Sequence, residues 1–140
     1  MKFFGNNSKI EINGQTFVGK MITYLNGQVI VDGKVQGEVE EEKEKVTIQV
    51  LANVERIESD EAINIVGNVT GNVYAKRNVN CKNIEGDVTA GGNVNADDIN
   101  GRTQAGGNVN CDDITGNAQA GGTINCDDIG GNATAMKINY

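Results

Sequence analysis

The sequence predicts an all-β chain: a parallel β-solenoid of triangular cross-section, with about fifteen residues per coil and about six coils, preceded by an N-terminal β-hairpin region. Three observations lead there. The segments GNVYAKRNVNCKNIE (71–85), GDVTAGGNVNADDIN (86–100), GRTQAGGNVNCDDIT (101–115) and GNAQAGGTINCDDIG (116–130) stack in register at a period of 15. Within each segment the small and apolar residues stand two apart, as in Val88 and Ala90, Val94 and Ala96, or Val109 and Cys111. That spacing places them on one face of a strand and leaves the intervening Asp, Asn, Thr and Gln outside. Finally, glycine makes up 19 of 140 residues, proline is absent and aromatics reach only 4%. Such a chain cannot fill a thick globular core, and helices would not tolerate so much glycine and asparagine.

Residues 1–45 do not follow the period. They read as strands joined by tight turns: KIEI, Asn13-Gly14 and QTFVG, then MITYL, Asn26-Gly27 and QVIVDG. Asn-Gly between apolar runs is the strongest short-range hairpin signal. The charged run EVEEEKEK (38–45) reads as an exposed turn or linker. The solenoid is assigned to 46–140, with the hairpins covering one of its ends, where unpaired strand edges would otherwise invite aggregation. Ile48, Ile63, Val79, Val94, Val109 and Ile124 form one expected column, with steps of 15, 16, 15, 15 and 15.

A single coil cannot stand alone. The stretch 94–108 offers only Val94 and Ile99 as sizeable aliphatics, at about 1.5–3 kcal/mol each. Ordering its backbone costs on the order of 1 kcal/mol or more per residue. Stability must come from neighbouring coils, through parallel backbone ladders and recurring side-chain stacks. Asn80, Asn95, Asn110 and Asn125 suit an amide ladder of this kind. At the far end, MKINY puts Ile138 in the valine column and Tyr140 in the cysteine column, with no polar capping element after them. Either Met136 and Tyr140 fold over the core as a plug, or a second subunit covers the coil. The second reading makes Met136, Ile138 and Tyr140 self-association residues and the protein a homo-oligomer.

Composition narrows the chemistry. A net charge of −7 argues against nucleic acid or an anionic membrane as a partner. No window approaches the eighteen apolar residues of a membrane helix, and MKFFGNNSK has no apolar run after its lysine. The expected setting is the cytoplasm. Histidine is absent, which removes the commonest general base and the commonest zinc ligand together. Three cysteines without a CxxC fit reduced thiols better than a disulfide framework. No cofactor motif is present: GGNVN lacks both the Walker lysine and a following helix.

Three constellations remain. Asp97 and Asp98, Asp112 and Asp113, and Asp127 and Asp128 form an acidic ladder, headed by Lys82 and Asn83 one coil earlier. Solvated corner residues, some capping backbone amides, are the favoured reading. A cation site and a docking face for a basic protein are the weaker ones, since neither an EF-hand loop nor a calcium-roll nonapeptide occurs. Cys81, Cys111 and Cys126 form a column with Ala96 in the gap. They read as packing thiols, with Cys111 and Cys126 on adjacent coils within disulfide range and Cys81 out of reach. The outward pairs Asn78 and Asn80, Asn93 and Asn95, Asn108 and Asn110, and Thr123 and Asn125 read as a soluble polar surface.

The phrases GNVTGNV, GDVTAGGNV and VIVDGKVQGEV resemble those of the bactofilins, polymer-forming bacterial cytoskeletal proteins built as parallel β-helices. The opening INGQTFVG with NGQVIVDGK, followed by fifteen-residue GNV repeats, also resembles short uncharacterised β-solenoid proteins of bacterial and phage genomes. The bactofilin likeness implies a right-handed coil and end-to-end polymerisation without cofactor or nucleotide. The period here is stricter than in bactofilins, and the outward positions are richer in Asn and Asp. The expected function is that of a non-catalytic structural or scaffold protein that self-associates through its solenoid ends. The alternative is a phage or bacterial binding or inhibitor protein, holding a host protein or small ligand at its acidic face or in an inter-subunit pocket. An enzyme is not expected, because no acid and base pair in a cleft. Open-ended growth in sedimentation would favour the scaffold, and one fixed oligomer the binding protein.

Overall fold

The computed structural model describes residues 1–38, 48–52 and 54–140. Most of the charged run 38–45 lies outside them. The N-terminal region is an antiparallel meander of β1 (Lys2–Ile12), β2 (Gln15–Leu25), β3 (Gln28–Val31) and β4 (Lys34–Glu38). The Asn13-Gly14 turn has φ of 47° and 83°, and the Asn26-Gly27 turn 49° and 78°. Two successive positive values are what a two-residue hairpin turn requires, and Asn followed by Gly tolerates them. Asp32-Gly33, with 49° and 81°, makes a third turn of the same kind, so the chain continues into β4 where the sequence reading stopped. QTFVG and MITYL are not separate strands but one, β2, running through Gly19.

β1 begins at Lys2 rather than at KIEI and is divided by a register shift between Phe4 and Ser8, where Asn7 adopts φ of 64°. Each half then serves a different neighbour. Ile10 and Ile12 pair antiparallel with Val50 and Ile48 of β5 (Ile48–Ala52), whereas Phe3 pairs antiparallel with Ile57 of β6 (Arg56–Ser59). Phe3, Ile10, Ile12, Ile22, Val29 and Ile57 are fully buried. The meander therefore occupies the N-terminal edge of the first face, extending it into one sheet of eleven strands.

From β6 onward the array has three faces and six turns. The first face stacks Arg56–Ser59, Asn72–Ala75, Val88–Ala90, Thr103–Ala105, Ala118–Ala120 and Ala133–Thr134, all parallel. The second stacks Ile63–Asn64, Val79–Asn80, Val94–Asn95, Val109–Asn110, Thr123–Asn125 and Lys137–Asn139. The third contains Asp98–Ile99, Asp113–Ile114 and Asp128–Ile129, continued backward by bridges from Ile99 to Ile84 and from Ile84 to Val69. Val94 lies directly over Val109, as the period requires. The expected column holds from Ile63 to Ile124 and extends to Ile138. Its first member departs: Ile48 bridges Ile65 instead of Ile63, because β5 is held in register by antiparallel pairing with β1 rather than by the coil above it.

The core is as thin as the composition implies, one main aliphatic column per face, with a second of Ala75, Ala90, Ala105 and Ala120 on the first. On the first face the main column narrows along the rod, from Ile57 through Val73, Val88 and Thr103 to Ala118 and Ala133. Thr103 is fully buried, and its hydroxyl has no hydrogen-bond partner among the described residues. An unsatisfied buried hydroxyl carries a desolvation cost with nothing to offset it. Thr103→Val removes it at nearly constant volume and continues the column begun by Val73 and Val88. The substitution is expected to raise stability by about 1 kcal/mol in urea denaturation. A loss would show that the hydroxyl has a partner.

Candidate functional site

The corner between the second and third faces is an open groove of about 700 Å³ running along the C-terminal half of the array. Three ladders build it. One wall is the asparagine stack: Nδ2 of Asn80, Asn95, Asn110 and Asn125 donates to Oδ1 of the asparagine one coil earlier at 2.7–2.8 Å. The stack begins at Asn64 and ends at Asn139, whose Nδ2 donates to Asn125. The floor is the column Cys81, Ala96, Cys111 and Cys126, and Asp97, Asp112 and Asp127 stand on the other wall with Tyr140 at the C-terminal end. Backbone bonds hold the acidic wall in step, since the Asp112 amide donates to the Asp97 carbonyl and the Asp127 amide to the Asp112 carbonyl, both at 2.6 Å. Asp98, Asp113 and Asp128 pair in register on the third face beside it.

The cysteines depart from the expectation of reduced packing thiols. Cys111 and Cys126 are joined by a disulfide, with Cα atoms 4.9 Å apart. In-register parallel stacking brings neighbouring coils to that separation, which lies inside the range a disulfide needs. Cys81 is free and half-buried. Burial pushes its thiol up to about 12, and the nearby Asp97 carboxylate adds to the shift. The thiolate is the reactive form, so Cys81 is chemically quiet at neutral pH.

Among the described residues the acidic ladder caps no backbone amide. That work falls to other corner residues: Oδ1 of Asn78, Asn93 and Asn108 accepts the backbone N–H of residues 93, 108 and 123 at 2.8–2.9 Å. Oδ1 of Asn72, Asp87 and Asn117 accepts those of residues 87, 102 and 132 over the same range. The outer Asn positions read as a plain polar surface are thus structural. The signal was present in the sequence as an Asx directly after a corner glycine in most coils, as at Asn72, Asp87, Asn93, Asn108 and Asn117. Arg102 interrupts one such series, having no oxygen to offer the coil after it. Among the described residues no three His, Cys, Asp or Glu side chains converge to hold a metal ion.

A second cleft, of about 520 Å³, lies where the meander meets the first face. The Arg56 guanidinium sits 4.9 Å from the centre of the Tyr74 ring and is ion-paired with Glu58. Lys76 pairs with Asp60 at 2.6 Å, which lowers the Asp60 carboxyl and raises the Lys76 ammonium from their ordinary values. Lys2 and the Met1 ammonium, which donates to the Tyr24 carbonyl at 2.8 Å, line the same cleft.

At the C-terminal coil, Lys137–Asn139 pairs with Thr123–Asn125 on one side and forms the outer edge of the second face. Met136 is 89% exposed and Tyr140 77%, so neither folds over the core as a plug. Ile129, Ala133, Ala135 and Ile138 pack on the coil beneath but remain only partly buried. Comparison with family models, with curated proteins and with solved structures returns no match. The array is a β-solenoid with the build of a scaffold, and its candidate sites are the groove and the edge formed by Lys137–Asn139.

Proposed function

We propose that the protein is a non-catalytic structural or scaffold protein of the cytoplasm that self-associates through its C-terminal coil. The observation that carries this reading is the contrast between the two ends. The N-terminal edge of the first face is taken by β1, while the strands ending at Ile129, Thr134 and Asn139 form outer edges flanked by exposed Met136 and Tyr140. Exposed strand edges beside apolar side chains are strong templates for pairing. With the first-face edge taken at the other end, two copies meeting at the C-terminal coil form a closed pair. Oligomer size alone therefore no longer separates scaffold from binding protein, and the residue dependence of assembly does. Sedimentation over a wide concentration range is expected to show association that Tyr140→Asp abolishes. A wild-type monomer at all concentrations, or an unchanged Tyr140→Asp assembly, would refute the reading.

One observation favours the second reading, a binding protein for a basic partner. None of Asp97, Asp112 and Asp127 is ion-paired among the described residues, although all three line the groove. A partner held there by charge would be released by moderate salt.

A further inference from the structure

The disulfide on the groove floor is the one covalent cross-link among the described residues, and it lies where the array is weakest. The first-face column has shrunk to Ala118 in the second of the coils it joins and to Ala133 in the coil beyond, and the final coil has neighbours on one side only. In a one-dimensional array each coil is held by its neighbours. Opening therefore runs inward from the end that buries least. Cys126 stands at the junction: its sulfur is bonded to Cys111, and its backbone N–H donates to the Asn139 carbonyl of the last strand at 3.2 Å.

We propose that the Cys111–Cys126 disulfide is a redox latch on the C-terminal coils, which when closed holds in register the strands whose edge self-associates and when reduced lets them open. The link to assembly rests on the function proposed above; the latch on the coils does not. The oxidant is a low-molecular-weight disulfide of the glutathione class, R–S–S–R. Half-buried Cys111, the more accessible of the two, attacks one sulfur as its thiolate, forms a mixed disulfide and releases R–S⁻. Cys126, 3% exposed, then attacks the Cys111 sulfur as its thiolate and expels the second R–S⁻. Two protein thiols become one disulfide, the oxidant gains two electrons, and both thiol protons end on the released R–SH. Excess R–SH reverses the steps. Cys81 does not interfere: Ala96 separates it from Cys111 by two coil spacings, about 9.6 Å, and at neutral pH it supplies almost no thiolate.

The test follows backbone amide hydrogen exchange and sedimentation of the full chain, oxidised with glutathione disulfide or reduced with dithiothreitol, beside Cys126→Ser. Closing a loop of this length is expected to slow exchange of the Thr123–Asn125 amides, on the coil that the bond ties down, by on the order of a hundredfold. Amides of Phe17–Ile22 in the meander stay unchanged. Cys126→Ser behaves as reduced protein in either buffer, and association weakens on reduction. Equal exchange rates in oxidised and reduced wild type overturn the latch, whatever the assembly state. Slowed exchange with redox-insensitive association overturns its link to assembly. Slowed exchange in a protein that is monomeric at every concentration supports the latch and overturns the association reading alone.

Discussion

Gly106→Ala is expected to destabilise the folded array by more than about 3 kcal/mol. A Cβ built on Gly106 lies 2.3 Å from the carbonyl oxygen of Gly91 one coil earlier. Gly91 and Gly121 occupy the same corner, with equivalent approaches of 2.1 Å to Lys76 O and 2.2 Å to Gly106 O. The atom in the way is backbone, so no rotamer change relieves the overlap. Moving either strand breaks the ladder, since the Gly106 amide donates to the Ala90 carbonyl and the Gly107 amide to the Gly92 carbonyl, both at 2.9 Å. Overpacking against movable side chains costs about 1–3 kcal/mol. Here the cost is expected to exceed about 3 kcal/mol, a large part of the stability of a small domain. Gly14→Ala is the control. Nothing lies within 4 Å of its Cβ, but its φ of 83° is unfavourable for a side chain, at about 1–2 kcal/mol. Urea denaturation followed by circular dichroism distinguishes the two, and a Gly106→Ala protein within 1 kcal/mol of wild type would mean that the coils stand further apart.

The reason this corner was legible bears on what else was. A parallel coil repeats its own geometry, so anything set by one coil on the next appears in the sequence at a fixed step. The Val79 to Ile124 column, the asparagine ladder and the paired glycines were all readable in this way. What the period does not carry is pairing between segments remote in sequence. Ile48 looked like one more member of the valine column by spacing, yet its register comes from Ile12 in β1, and no local pattern announces an antiparallel partner. Asp32-Gly33 was missed as a turn for a different reason, since the strand it leads into, KVQGE, has little apolar alternation of its own. The proximity of Cys111 and Cys126 followed from the fifteen-residue step, but their bond depends on redox chemistry that spacing does not encode. Cys81 and Cys111, taken as inward, are half-buried because they stand at the groove corner rather than on a flat face.

The one-dimensional build also predicts that the same substitution costs different amounts along a single column. Ile99 is fully buried between Ile84 and Ile114, while Ile129, two coils on, packs against Ile114 alone and remains partly exposed. Ile99→Ala removes contacts to both neighbours and leaves a cavity that neither ladder can close, at about 2–5 kcal/mol. Ile129→Ala forfeits one interface and no enclosed volume, so roughly half that loss or less is expected. Urea denaturation at two protein concentrations makes the pair informative about assembly. The Ile99→Ala penalty belongs to the interior of one chain and should not change with concentration. If a second copy covers the C-terminal coil, Ile129 becomes buried in the assembled state and its penalty rises toward that of Ile99 as concentration increases. A penalty at Ile129 that is small and constant throughout would mean that the last coil stays open to water.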